Sequence, residues 1–218
     1  MSLKFANLAA FAAIAASAGF GLWARTQLPD VPIATHFDAA GQVNGTMSRD
    51  VALAFGPAFS LVIAVVLLWV IPAIMPKKAS LARSPQAYGA SVAAIILFIC
   101  LVQAGLVARA LHMPVDIPRS ALAGLGLVFI VIGNYLPKTR FNYVMGIRNP
   151  WTLSSEDVWD RTHRVTGLLF ILLGLGVIAD AILAPFPLAH IVMVVATLVV
   201  VLVCNIYSYL TARKLGLV

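Results

Sequence analysis

Charge is scarce in this chain. Lys, Arg, Asp and Glu make up 11% of the 218 residues, while 61% are hydrophobic. A soluble domain of this size has no interior able to hide that much apolar surface, so a water-soluble globular fold is excluded. Cysteine is nearly missing as well. The two that occur, Cys100 and Cys204, fall inside apolar stretches, which excludes a disulfide framework or a metal site built from them and leaves them as small core residues. Acidic residues are outnumbered, eight against 15 basic, giving a formal charge of +7 and a pI near 9.9. In a soluble protein this balance would suggest nucleic acid, but no nucleic-acid motif accompanies it. The basic residues sit in short loops, where the preference of Lys and Arg for the cytoplasmic face of a membrane accounts for them. The expected partner is therefore the lipid bilayer and not nucleic acid.

What the chain does have is long apolar runs, with a mean hydropathy of +0.98. About 20 consecutive apolar residues cross a bilayer core. The runs lie at roughly Phe5–Trp23, Val51–Met75, Ala87–Ala110, Ala121–Leu136, Val165–Leu183 and Leu188–Leu210, the fourth being the shortest. Backbone groups in lipid must be satisfied within each segment, so helix is expected; a barrel would show alternating strands instead. The fold class is thus all-α, a polytopic membrane bundle of about six transmembrane helices. Lys4, an apolar run and Ala16-Ser17-Ala18 imitate a signal peptide, but the run is longer than a usual signal core, so the reading is an uncleaved first helix.

Charge sets the orientation. With the N-terminus inside, the cytoplasmic face holds Lys4, Lys77, Lys78, Arg83, Lys138, Arg140, Arg148, Arg161, Arg164, Arg213 and Lys214, eleven of the fifteen basic residues. Arg25, Arg49, Arg109 and Arg119 fall outside, with Asp30, Asp38, Asp50, Asp116 and Asp180. The expectation is a membrane protein with both termini in the cytoplasm. Three segments follow: residues 1–75, with two helices and an outer loop; 76–119, with the third helix and its connections; and 120–218, with three helices and a cytoplasmic loop. Each half reads as helix, long polar loop, helix, short loop, helix. Leu28-Pro29 echoes Leu136-Pro137, and Ser48-Arg49-Asp50-Val51 echoes Ser155-Glu156-Asp157-Val158. Three helices per half would make this an inverted repeat, although both patterns also serve as a helix stop and a helix start.

The outer loop, Arg25–Asp50, is rich in prolines that favour extended backbone. Asn44-Gly45 signals a tight turn, and Ser48 or Thr46 can cap the next helix. A short extended hairpin on the membrane surface is expected. His36 and Asp38 are ligand types, but two without a third make a weak metal site; a small lid pinning helix ends requires less. Leu28, Pro29, Val31, Pro32, His36, Phe37, Gly41, Asn44 and Ser48 resemble the DUF1648 family pattern, with one extra residue between Pro32 and His36.

The inner loop is the more informative. Pro137 stops the fourth helix, and Ser154-x-x-Asp157 reads as a capping box opening the next. On that helix Trp159 and His163 share a face, as do Asp160 and Arg164, which can pair. Three readings compete: an interface belt of Trp and Arg at the headgroups; a docking surface with Arg148 as anion fork and Trp151 as anchor; and catalysis with His163 as general base, for which no nucleophile or metal constellation is apparent. Gly133-Asn134, Pro137-Lys138, Asn142, Gly146-Ile147-Arg148, Pro150-Trp151-Thr152-Leu153, Trp159 and Thr162-His163-Arg164 resemble the signature of the SdpI family of bacterial membrane proteins, over about Gly126 to Leu175. That resemblance implies immunity against a secreted antimicrobial peptide toxin outside and the docking of a cytosolic repressor inside. It implies no cofactor.

Polar residues within the spans suggest helix-to-helix bonds. Arg109 and Asp180 should share a depth and pair. Gln103, Asn134 and Asn205 should bond between helices, with Asn134 and Asn205 as partners. Pro57 and Pro72 can kink or end the second helix, and Gly124, Gly126, Gly174 and Gly176 mark close packing. Two further functions stand beside immunity: a small transporter or lipid-handling protein, favoured by the repeat, and a membrane enzyme using His163 or His36, disfavoured because the two histidines are expected on opposite faces.

Overall fold

The computed structural model describes residues 3–38, 40–75, 81–185 and 188–218, with side chains from Phe5 onward. Ala39 of the outer loop, Lys77, Lys78 and the Lys4 side chain lie outside the described residues. Helix dominates: α1 (Leu3–Gln27), α2 (Arg49–Ile74), α3 (Pro85–Ala110), α4 (Ile117–Tyr135), a short α5 (Pro150–Ser154), α6 (Glu156–Leu183) and α7 (Leu188–Lys214). Among the described residues, six helices are long and apolar enough to cross a membrane. The fourth is longer than expected because Asp116 caps it one turn earlier, accepting a hydrogen bond from the Arg119 N–H at 3.1 Å.

Between α1 and α2 the chain forms an antiparallel hairpin of β1 (Ile33–Phe37) and β2 (Val43–Met47). The expected hairpin is present, but its turn is not at Asn44-Gly45, which lie within β2. The chain reverses at Asp38–Gln42, where Gly41 adopts φ +79° and Asp38 Oδ1 accepts the Ala40 and Gln42 N–H groups at 2.9 Å. Ser48 stands at the N-cap of α2 without a side-chain cap bond.

In the first half α1 lies along α3 and α2; α3 then contacts α4, which runs along α6, and α7 packs on α6. The α4–α6 contact is set by glycine. A Cβ on Gly126 would meet the Gly174 carbonyl oxygen at 2.7 Å, and a Cβ on Gly133 would meet that of Gly167 at 2.7 Å. These antiparallel glycine pairs let the backbones touch, which in lipid replaces the hydrophobic drive unavailable there. Gly176, expected to do the same, faces open space. Helix α7 buries only 11% of its apolar window against 28–33% for the others, so it presents most of its Leu and Val to lipid.

Helix α2 carries two faults. Pro57 has no N–H for the Leu53 carbonyl. Residues Val66–Val70, just before Pro72, form a π-turn, the usual accommodation for a proline in a helix. Both faults are met from α3. Gln103, 5% exposed, donates from Nε2 to the Ala52 carbonyl at 2.8 Å and the Leu53 carbonyl at 3.4 Å. The Tyr88 hydroxyl donates to the Leu67 carbonyl within the π-turn. Gln103 thus bonds between helices, as expected.

Candidate functional site

Most residues of the inner-loop resemblance gather at one end of the bundle, around the start of α6. Trp159, Thr162, His163, Thr166 and Gly167 recur at intervals of three and four, so they share the buried face of α6. The 137–154 segment folds over that face. Trp159, 0% exposed, donates from Nε1 to the Thr139 carbonyl at 3.1 Å and meets the Phe141 ring edge-on at 5.5 Å. Asn142, also 0% exposed, closes the turn: its Oδ1 accepts from Val144 N–H at 2.8 Å and Met145 N–H at 2.9 Å, and its Nδ2 donates to the Arg140 carbonyl at 2.8 Å.

His163 stacks on Trp159 with ring centroids 4.0 Å apart. Its Nε2 accepts the Ile147 N–H at 3.0 Å, and its Nδ1 lies 2.8 Å from the Trp159 carbonyl oxygen. A backbone N–H can only donate and a carbonyl can only accept, so this geometry holds the neutral ring with the proton on Nδ1. Both nitrogens are engaged by backbone, leaving none to take a proton from a substrate. Gly146 makes the approach possible: it has φ +109°, and a Cβ there would lie 2.2 Å from His163 Nε2.

Downstream, α5 is built by a residue the sequence reading passed over. Asn149 Oδ1 accepts the Thr152 N–H at 2.9 Å while Thr152 Oγ1 accepts the Asn149 N–H at 3.0 Å. The Asn-Pro-Trp-Thr run is the signal that could have revealed it, with a capping Asn before Pro at the first helical position. The Asn149 Nδ2 then reaches α7, donating to Asn205 Oδ1 at 3.1 Å and Ser208 Oγ at 2.7 Å, and Trp151 packs on Tyr209 with centroids 5.3 Å apart. Thr152 Oγ1 donates to the Ile147 carbonyl at 2.7 Å. The N-terminal end of α3 is tied in as well: buried Ser84 accepts the Arg140 N–H at 2.7 Å, and Arg83 meets Glu156 at 3.1 Å. The Glu156 carboxylate holds the Arg83 pKa above its ordinary value.

Several pairings differ from expectation. The cap of α6 is Ser155, not Ser154, with Val158 N–H 3.5 Å from its hydroxyl. Asp160 lies 3.6 Å from Arg140 instead of pairing with Arg164. Asn205 pairs with Asn149, and Asn134 is exposed. Arg148 turns back to donate to the Tyr143 carbonyl at 2.8 Å. Pro137 packs against Gly167, where an added Cβ would meet its ring at 2.6 Å. Thr162 is the exception within this knot: it is 0% exposed, yet its hydroxyl has no hydrogen-bond partner among the described residues.

The opposite end is open. His36 Nδ1 meets Asn44 Oδ1 across the hairpin. Arg25 grips Asp50 through two bonds of 2.9 Å. Arg49 reaches the Leu28 carbonyl at 3.1 Å and Asp30 at 3.8 Å. The Arg109 guanidinium sits over the Phe37 ring, 5.6 Å from its centroid, and donates to the Val115 carbonyl at 3.3 Å; it does not pair with Asp180. A cavity of 720 Å³ lies between the hairpin turn, including Gly41, and the α3–α4 turn. A second, of 320 Å³, runs under Pro29 and Pro32. Arg109 and His112 line both. Among the described residues no group of three or more His, Cys, Asp or Glu side chains could hold a metal ion.

Comparison with known proteins agrees with both resemblances. Residues 138–208 match the model of the SdpI/YfhL protein family, and residues 12–61 match DUF1648, a domain of unknown function. The chain is 26% identical over 124 residues to a protein of Bacillus subtilis (strain 168) named Immunity protein SdpI. That match covers 56% of this chain and 58% of the relative. No solved structure matches.

Proposed function

We propose, on the premise that residues 138–208 are an SdpI-family region in a multi-pass membrane protein, that this chain is a bacterial inner-membrane immunity-type protein. It protects the cell that makes it against a secreted antimicrobial peptide. The observation that carries this reading is the asymmetry of the two ends. The family-matched segment closes one end with nearly all its buried polar groups satisfied internally, Thr162 excepted, while the hairpin end holds open cavities lined by Arg109 and His112. With both termini in the cytoplasm, the open end faces the side from which a secreted peptide arrives. Pairing of Arg25 with Asp50, Arg49 with Asp30 and Arg119 with Asp116 offsets most of the outer positive charge, in keeping with that orientation.

At the inner end, the surface presented to the cytosol is basic: Arg148, Arg161, Arg164, Arg213 and Lys214 are exposed. An acidic face of a cytosolic repressor is the partner this surface fits. The test of immunity is genetic. Deleting the gene should sensitise the cell to a peptide secreted by a neighbouring strain, and a plasmid copy should restore resistance. Unchanged sensitivity to every such peptide would overturn the reading.

A further inference from the structure

Beneath the hairpin, two further cavities run along α3. One, of 320 Å³, is bounded by Phe55, Gly56 and Phe59 of α2 and by Phe98, Val102 and Leu106 of α3. The other, of 300 Å³, shares Thr35, Phe98, Val102, Leu106 and Ala121 with it and adds Phe37. The shared lining makes them neighbouring parts of one groove along α3, apolar along most of its length, bounded by α2 on one side and by α4, the hairpin and the start of α7 on the other. Its lip is the stacked pair Phe55 and Phe59, exposed by 51% and 43%, so the groove opens sideways toward the bilayer. Leu106 also lines the cavity under Pro29 and Pro32, where Arg109 begins. The apolar groove and the cavity beside Arg109 thus adjoin at Leu106.

Arg109 is the hinge of this arrangement. Its guanidinium lies over Phe37, a wall of the apolar groove, and faces the cavities shared with His112. Among the described residues its one polar bond is to a backbone carbonyl, and none of the described carboxylates lies within ion-pair distance of it. Two acids line these cavities without pairing with Arg109: Asp116, which meets Arg119 at 3.4 Å, and Asp38, whose Oδ1 accepts from the backbone of its own turn. From Phe98 to Arg109 the helix rises ~16 Å at 1.5 Å per residue, a length on the scale of an acyl chain. An exposed apolar groove at membrane depth, headed by a cation lacking a counter-charge, has the chemistry of a phospholipid: hydrocarbon below, phosphate above.

We propose that the groove between α2, α3 and α4 is a binding site for an anionic phospholipid, with one acyl chain along Phe98, Val102 and Leu106 and the headgroup phosphate on Arg109. The site does not depend on the immunity reading. The occupant is a lipid and not a soluble anion because the groove is continuous with the membrane-facing surface at Phe55 and Phe59.

The test is native mass spectrometry of the full chain in detergent, titrated in parallel with phosphatidylglycerol and phosphatidylcholine of equal chain length. The wild type should retain one phosphatidylglycerol at roughly tenfold lower concentration than phosphatidylcholine, about 1.4 kcal/mol of preference. Arg109→Gln should remove the preference. Val102→Trp, which fills the groove, should lower retention of both lipids. Excess inorganic phosphate should leave the lipid in place; displacement by phosphate would show that the chain contributes nothing and would overturn the proposal. Equal retention of both lipids by the wild type, or undiminished retention by a folded Val102→Trp variant, would overturn it too.

Discussion

At the scale of single residues, two positions separate what the knot around His163 needs from what it tolerates. Gly146 carries two constraints at once, a positive φ and a 2.2 Å approach of any Cβ to His163 Nε2. Gly146→Ala should destabilise the protein by roughly 2 kcal/mol or more, read as a lower unfolding temperature in detergent. Adding His163→Ala should recover only the steric part, because the backbone strain stays; full recovery would mean that the φ value costs nothing. Thr152 and Thr162 make a matched pair, both 0% exposed. Thr152 Oγ1 bonds to the Ile147 carbonyl and accepts from Asn149, so Thr152→Val should cost about 1–3 kcal/mol. The Thr162 hydroxyl has no partner, so Thr162→Val, which removes a buried unsatisfied group, should leave stability unchanged or raise it. If thermal unfolding ranks the two in the opposite order, the bonding around α5 and α6 is not as described here.

At the scale of elements, sequence and structure part company in an instructive way. The six spans, the hairpin and the side-sharing of Trp159 with His163 were legible because each depends on local composition or helical period. Partners were not. Arg109 and Asp180 were matched by depth along their helices, which the rise per residue supplies, but the direction in which each side chain points depends on how the helices are rotated against their neighbours. Arg109 points to Phe37 of the hairpin. For the same reason Asn205 meets Asn149 of α5 and not Asn134. The signature gave α5 no weight as a helix, since only five residues form it and its stability comes from the Asn149 cap and from contact with α7. That Gln103 bonds between helices is legible, but its partners, the Ala52 carbonyl and the Leu53 carbonyl orphaned by Pro57, become visible only when α2 and α3 are placed side by side. That assignment predicts a coupling. Gln103→Leu should destabilise the wild type, since water is not at hand to satisfy the Leu53 carbonyl. In a Pro57→Ala background, where the helix supplies its own N–H, the same change should cost about 1 kcal/mol less. Additive effects in this double-mutant cycle would remove Gln103 from the repair of α2.

At the scale of the whole molecule, the bundle connects two unlike ends through α2 and α3. The α2 N-terminus is clamped beside the hairpin by Arg25, Arg49 and Asp50. Its π-turn residues Leu67 and Leu68 share a cluster with Tyr88, Val144 and Met145 of the opposite end. A change in the hairpin therefore has a packed route to the signature loop, though a route matters biologically only if the ends face different compartments. The charge count predicts that the loop end lies in the cytoplasm, and this can be checked on the intact cell. The native cysteines, Cys100 and Cys204, are buried and should stay silent to a membrane-impermeant maleimide. A cysteine introduced as Asn44→Cys, in the hairpin, should be labelled on intact cells. One introduced as Tyr143→Cys, on the exposed surface of the loop, should be labelled only after the cells are opened. The reverse pattern would put the basic end outside, contrary to the distribution of Lys and Arg. It would turn the open hairpin toward the cytosol and remove the basis for meeting a secreted peptide there. The expected pattern would instead confine any cytosolic partner to the basic surface around Arg148 and Arg164, and leave the cavities beside Arg109 to molecules that arrive from outside or through the membrane.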